Sequence, residues 1–196
     1  MRMPSRKWLW IAELGLIVAA TYGAIRPHTA AKAAPIGQPD NMQLLDLRGY
    51  REMLAGYQGK PLLVTFWATW CAPCHEEYAI VVDLANEYGP QGLAVVGISL
   101  DEDQDLPLAR KFLADAHADF PNFRLRPGID VDAFYQGVNP DWRGTMPQTD
   151  FYARDGHLAR YFVGQKSRDV FVQAIRLIMI TTTSENLGKE GPSTGN

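Results

Sequence analysis

Two apolar runs of strand length organise the middle of the chain, Leu62–Trp67 and residues 93–100. Both are rich in β-branched residues, and the first is also aromatic, as buried strands are. Each is followed by helical periodicity. Cys74, Tyr78, Val81, Ala85 and Tyr88 recur at helix spacing after the first run, and Leu106, Ala109, Phe112, Leu113 and Ala116 share a face within 103–117 after the second. Gly89-Pro90-Gln91-Gly92 reads as the turn between the two units. Ahead of the first run, Leu47, Tyr50, Leu54 and Tyr57 predict another helix, stopped by Gly59-Lys60-Pro61. Alternating strands and helices predict an α/β domain with parallel strands.

The second half is less regular. A short strand over 122–126 and a short helix over 130–137 fit the pattern. Residues 148–153 and 157–163 alternate around Arg154-Asp155-Gly156 and predict an antiparallel hairpin. Ser167 is placed to cap a last helix that buries Val170, Phe171, Ala174, Ile175 and Ile178. Residues 182–196 are polar and predict a disordered tail.

The first 41 residues read differently. Arg2, Arg6 and Lys7 precede a mostly apolar stretch over 8–25, with Glu13 inside it. That stretch sits near the lower length for spanning a bilayer, and its basic flank predicts that everything after residue 26 is exported. Residues 1–26 are thus expected to be a transmembrane anchor or a signal helix. Ala31-Lys32-Ala33 offers a cleavage pattern, but it lies far from the apolar run, which favours an uncleaved anchor. Residues 27–41, with three prolines, read as a linker, which leaves 42–181 as the folded domain.

Composition excludes some classes. A hydrophobic share of 46% and a charged share of 21% are those of a globular protein. The formal net charge is −3. Residues 1–33 hold five of the 19 basic residues and one of the 22 acids, so the remainder carries 14 against 21, a net of −7. There is no basic stripe, and nucleic acid is not an expected partner. No flavin or nicotinamide motif is present, and neither a cofactor nor a metal is expected.

The candidate chemistry lies in Cys71-Ala72-Pro73-Cys74, which holds the only two cysteines of the 196 residues. They fall where the strand ends and the helix begins. The first helical turn has free N–H groups and the positive end of the helix dipole, which stabilise a thiolate. Cys71 is expected at the accessible entrance, with Cys74 beneath it and Pro73 in the first turn, where its missing N–H is harmless. Other readings of these residues stay open. Cys71-Ala72-Pro73-Cys74-His75 is also the pattern of covalent haem attachment, with His75 as iron ligand, which would make an electron carrier. The pair also fits a structural disulfide, although so short a loop constrains little of the unfolded chain. A dithiol metal site would need further ligands nearby.

The whole segment Phe66-Trp67-Ala68-Thr69-Trp70-Cys71-Ala72-Pro73-Cys74 resembles the active site of thioredoxin-fold proteins, and in particular the membrane-anchored TlpA/ResA/CcmG-like thiol–disulfide oxidoreductases. The resemblance covers roughly residues 44 to 180. It implies a thioredoxin-like α/β fold, a central mixed sheet flanked by helices, with a central insertion around 120–140. It implies catalytic cysteines at Cys71 and Cys74, supported by Trp70, Pro73 and Glu77. Glu77 stands where the group carries a glutamate that tunes the thiols and passes protons. Pro147, in Gly144-Thr145-Met146-Pro147, matches the family's cis-proline, and Met146 would then offer its backbone to the substrate chain. The implied partners are disulfides of exported proteins, apocytochrome c among them, and a membrane-embedded thiol donor. The implied location is the bacterial inner membrane, facing the periplasm.

Departures from the family pattern bear on the redox role. Thr65 stands where cytosolic thioredoxins have a buried acid, and Asp150 stands where the family usually has an apolar residue; either Asp150 is a buried acid that replaces the missing one, or the strand there twists outward and Asp150 is solvated. Ala79 replaces a frequent proline and His75 a frequent Lys or Arg. A helix terminus brings a thiol from about 8.5 to about 7, as in thioredoxin and unlike the strong oxidants. Glu76 and Glu77 oppose further lowering, no Lys or Arg lies between Lys60 and Arg110, and His75 is the one local cation candidate. A reductant is expected, with a disulfide-forming oxidant of the same fold as the alternative. Asp101, Glu102, Asp103 and Asp105 read as caps and dipole partners of the following helix.

Overall fold

The computed structural model describes residues 42–180. The anchor or signal helix, the linker and the polar tail expected from the sequence lie outside the described residues. Among the described residues, no helix is long and apolar enough to cross a membrane.

A six-stranded mixed sheet forms the centre, in the order β1-β4-β3-β2-β5-β6. Its strands are β1 (Gln43–Leu45), β2 (Leu62–Trp67), β3 (Ala94–Ser99), β4 (Asn122–Leu125), β5 (Gln148–Tyr152) and β6 (Leu158–Val163). β1, β4, β3 and β2 pair in parallel, β5 pairs antiparallel with β2, and β6 pairs antiparallel with β5. The helices are α1 (Leu47–Gly56), α2 (Ala72–Tyr88), α3 (Leu106–Asp115), α4 (Val131–Val138) and α5 (Arg168–Ile180). The expected elements are all present, trimmed at their ends. β1 was not expected: three residues are too few to carry a period. The helix expected over 103–117 opens as a 3-10 turn at Asp103–Asp105 before α3 proper starts at Leu106, with Pro107 in its first turn. Asp46 and Asp130 cap α1 and α4 by accepting the N–H of Gly49 and Ala133. Ser167 meets α5 through its backbone carbonyl, which accepts from Val170.

Strand alternation sends side chains to two cores. Leu63, Trp67, Val95 and Phe151 pack with Tyr78, Val81 and Leu84 of α2, Leu113 of α3 and Phe171 and Ile175 of α5. Leu62, Val64, Phe66, Val96 and Tyr152 face the other way, toward Tyr50 and Met53 of α1, Phe134 of α4 and Trp142. The sheet is therefore the middle of three layers. Every residue of β2 is buried, which explains why its sequence is a continuous apolar run rather than an alternating one.

The region around 120–140 supplies β4, α4 and the approach to β5. β4 inserts between β1 and β3, and α4 brings Phe134 and Tyr135 against Phe66 and Trp142. The core here is aromatic with tilted rings: Phe66 lies 4.7 Å from Trp142 and Tyr135 4.4 Å from it, between ring centroids.

Candidate active site

β2 delivers the chain to Cys71, the N-cap residue of α2, and Pro73 lies in the first turn as expected. Cys71 and Cys74 form a disulfide. Cys74 retains 1% of its surface and Cys71 only 6%. The expectation of an accessible Cys71 is corrected for this oxidised form: bonded to Cys74, it joins the core cluster beside Trp67, Ala68 and Tyr78. Trp70, by contrast, is 65% exposed directly beside it.

The Met146–Pro147 peptide is cis. Gln148 pairs with Phe66 across the β2–β5 ladder, so the segment entering β5 and the segment leaving β2 lie side by side at one end of the sheet's central strands. This loop is braced from the inserted region. Trp142 Nε1 donates to the Thr145 carbonyl at 2.8 Å. Gly144 has φ +82°, and a Cβ there would lie 2.7 Å from the Tyr135 ring, so only glycine fits. The Pro147 carbonyl accepts from Gly164. Among the described residues, no backbone partner pairs with Met146.

Glu77 is fully buried. Thr149 Oγ1 donates to Glu77 Oε1 at 2.8 Å, and the Lys166 N–H donates to Oε2 at 2.8 Å. Thr149 also bonds Thr65 at 3.3 Å. Burial pushes the Glu77 carboxyl above its ordinary value, while these two hydrogen bonds and the Lys166 charge pull the other way without cancelling it. Lys166 is a cation that sequence-local reasoning missed, because the loop after β6 brings it back from 89 residues away. The same loop places Gln165 on Glu76 at 2.7 Å.

Asp150 is buried too, so a solvated acid at this position is excluded. It does not replace the acid missing at Thr65. It pairs with Val64 and belongs to the opposite face of the sheet, the face of Tyr50 and Tyr152. Gln148 Nε2 and Tyr152 OH donate to it, and Tyr50 OH lies 2.6 Å from Tyr152 OH. Burial drives the Asp150 carboxyl up to about 7 against those two bonds. Thr65 instead stands on the side of Glu77, joined to it through Thr149.

The acids at 101–105 are not the helix caps they resemble. Asp101 is buried and bonds to Thr69 and Ser99, and Asp103 pairs with Arg124 at 2.6 Å. Neither Glu102 nor Asp105 makes a capping bond. A Ser-x-Asp step at the end of the strand next to the dithiol strand was the available signal. His75 packs on Phe112 at 4.6 Å, with Nε2 2.9 Å from the Thr69 carbonyl.

A cysteine pair at the head of the helix that follows a central strand, with a cis-proline entering the neighbouring strand at the same end of the sheet, defines a thioredoxin-fold dithiol protein. The chain belongs to the AhpC/TSA family, whose sequence profile matches residues 36–161. It is similar to the thiol-disulfide oxidoreductase ResA of Geobacillus thermodenitrificans, 27% identical over 172 residues covering 87% of this chain and 90% of that one. It is also similar to the thioredoxin-like protein YneN of Bacillus subtilis, 29% identical over 129 residues covering 63% of this chain and 75% of that one. Among solved structures, a thiol:disulfide interchange protein of the thioredoxin family from Chlorobium tepidum superposes with TM-score 0.56 at 23% identity, covering 64% of this chain and 83% of the other. This chain is a thiol–disulfide oxidoreductase of the same type.

Proposed function

We propose that the chain is an extracytoplasmic, membrane-tethered reductant of disulfides in exported proteins. Cys71 is the nucleophile: its thiolate attacks one substrate sulfur and expels the other as a thiolate. Cys74 then attacks the Cys71 sulfur of the mixed disulfide and expels the second substrate sulfur. Two electrons and two protons reach the substrate, and Cys71–Cys74 is left oxidised. A membrane-embedded dithiol donor restores it. The Met146 backbone pairs with the substrate chain ahead of the cis bond, and the exposed Trp70 and Pro73 border the reacting sulfur. Glu77 accepts and returns protons behind the dithiol. Residues 1–26 act as the anchor, 27–41 as the linker, 42–181 as the working domain and 182–196 as a tail. Apocytochrome c cysteines fit this chemistry as substrate.

The observation that carries the reading is the dithiol at the head of α2 at the same end of the sheet as cis Met146–Pro147. The direction of electron flow is read from electrostatics. The acids near the dithiol and the modest strength of one helix terminus leave the thiolate only moderately stabilised, which favours a reducing couple. The test is the reduction potential of the purified chain equilibrated against thiol buffers. A value near −270 mV, about that of thioredoxin, supports the reductant, whereas a value near about −120 mV makes it a disulfide-forming oxidant.

A further inference from the structure

Thr69, two residues before Cys71, has all three of its hydrogen-bonding groups engaged. Its N–H donates to Asp101 Oδ1 at 2.9 Å and Oδ2 at 3.2 Å. Its hydroxyl donates to Asp101 Oδ1 at 2.6 Å. Its carbonyl faces His75 Nε2 at 2.9 Å, and because a carbonyl only accepts, that nitrogen carries the proton. His75 follows Cys74 directly. Thr69 therefore ties the segment entering the dithiol to the helical turn leaving it.

Asp101 is itself held from several sides. Ser99 Oγ donates to Oδ2 at 2.8 Å and accepts the Asp101 N–H at 3.0 Å. Ser99 lies opposite Trp67 in the β2–β3 ladder, and the Leu100 N–H reaches the Trp67 carbonyl at 2.8 Å. Arg124 of β4 donates to the Asp101 carbonyl at 3.4 Å and pairs with Asp103. A buried carboxylate, anchored to two neighbouring strands, thus reaches over the end of β2 to grip the loop that carries the nucleophile.

We propose that Asp101 is a positioning residue for the dithiol, holding Cys71 at the N-terminus of α2 through Thr69 and His75. The proposal rests on the reading of Cys71 as nucleophile. Helix-terminus stabilisation falls off within one turn, so the thiolate gains it only where the loop keeps the sulfur close to the free N–H groups. The sign of the effect separates this role from a simple charge effect. A carboxylate acting only through its charge disfavours a nearby thiolate, and removing that charge makes Cys71 more reactive. A clamp does the reverse: releasing it makes Cys71 less reactive.

The experiment follows iodoacetamide alkylation of Cys71 against pH in the full chain, with Cys74→Ser to isolate the one thiol. Near-UV circular dichroism checks that each variant is folded. Asp101→Asn and Thr69→Val are expected to move the alkylation midpoint upward and slow the reaction at pH 7 about tenfold. Thr69→Ser, which keeps the hydroxyl, is expected to restore the original profile. If Asp101→Asn fails to fold, the Val and Ser variants at 69 decide, since they differ in a hydroxyl that only the clamp uses. Faster alkylation in Asp101→Asn, or an unmoved midpoint in Thr69→Val, overturns the proposal. An ordinary thiol profile without any substitution at 69 or 101 overturns the nucleophile reading and the clamp with it. A shifted profile that both variants leave in place overturns the clamp alone.

Discussion

Glu77 and Asp150 are two buried acids whose carboxyls both sit above their ordinary values for the same reason, loss of water. Their consequences differ because they occupy opposite faces of the sheet. For Asp150 the folded value of about 7 exceeds the ordinary 3.8. The stability tied to its neutral form is therefore complete below about pH 4 and is lost as pH rises through about 7. Urea unfolding of the native chain and Asp150→Asn should diverge with pH. Between pH 4 and 8 the native chain is expected to lose on the order of 4 kcal/mol relative to the variant. A difference that stays constant across that range would mean Asp150 is not titrating. Disulfide exchange at pH 7 should depend on one of the two acids and not on the other. If Glu77 transfers protons as proposed, Glu77→Gln is expected to slow it on the order of 10²-fold. Asp150→Asn, facing away from the dithiol, should change it by less than about twofold, read by turnover of a protein disulfide.

Between elements, the tightest junction is at Asn122 of β4. Its Oδ1 accepts from Tyr78 OH of α2 at 2.8 Å and from Trp67 Nε1 of β2 at 3.3 Å, and its Nδ2 donates to the Phe120 carbonyl at 3.1 Å. One side chain thereby connects β4, β2 and the dithiol helix. Gly97 of β3 makes room for it: a Cβ there would lie 1.9 Å from Asn122 Oδ1. Gly97→Ala is expected to cost about 2 kcal/mol, or roughly 4–8 °C in Tm for a domain of this size, measured by thermal denaturation. Gly144 controls the cis-proline loop instead. Gly144→Ala should slow exchange with a protein disulfide on the order of tenfold, because the substrate strand is misplaced. It should leave iodoacetamide alkylation of Cys71 within about twofold, since so small a reagent needs no strand pairing. The elements themselves were legible in the sequence wherever a buried face repeats, as in α2 with Tyr78 and Val81. β1 was not legible, and neither was Gly97, whose reason is a side chain on another strand.

Across the whole molecule, the chemistry was legible where it is local and hidden where it is assembled. Cys71, Pro73 and Cys74 stand together in one short segment of the sequence, and that segment and Pro147 take their reading from the resemblance to thioredoxin-fold proteins. Asp101, Thr149 and Lys166 reach the site only through strand order and a returning loop, so their sequence surroundings suggest caps and solvated charges. The idea that Asp150 replaces the acid missing at Thr65 fails for the same reason: Asp150 is buried, but one residue along a strand is the difference between the two sides of a sheet. The clamp on Thr69 comes from the segment just beyond β3, and the brace on Thr145 comes from Trp142 in the loop between α4 and β5.

The exposed ring of Trp70 gives this site an optical signature. Among the described residues, the other tryptophans, Trp67 and Trp142, are shielded from water, so Trp70 alone supplies emission at the red, water-relaxed end of their spectrum. A partner that seats over the sulfurs must cover that ring. With Trp8 and Trp10 changed to Phe, a blue shift confined to the red component would report docking as it happens, without any label on either protein.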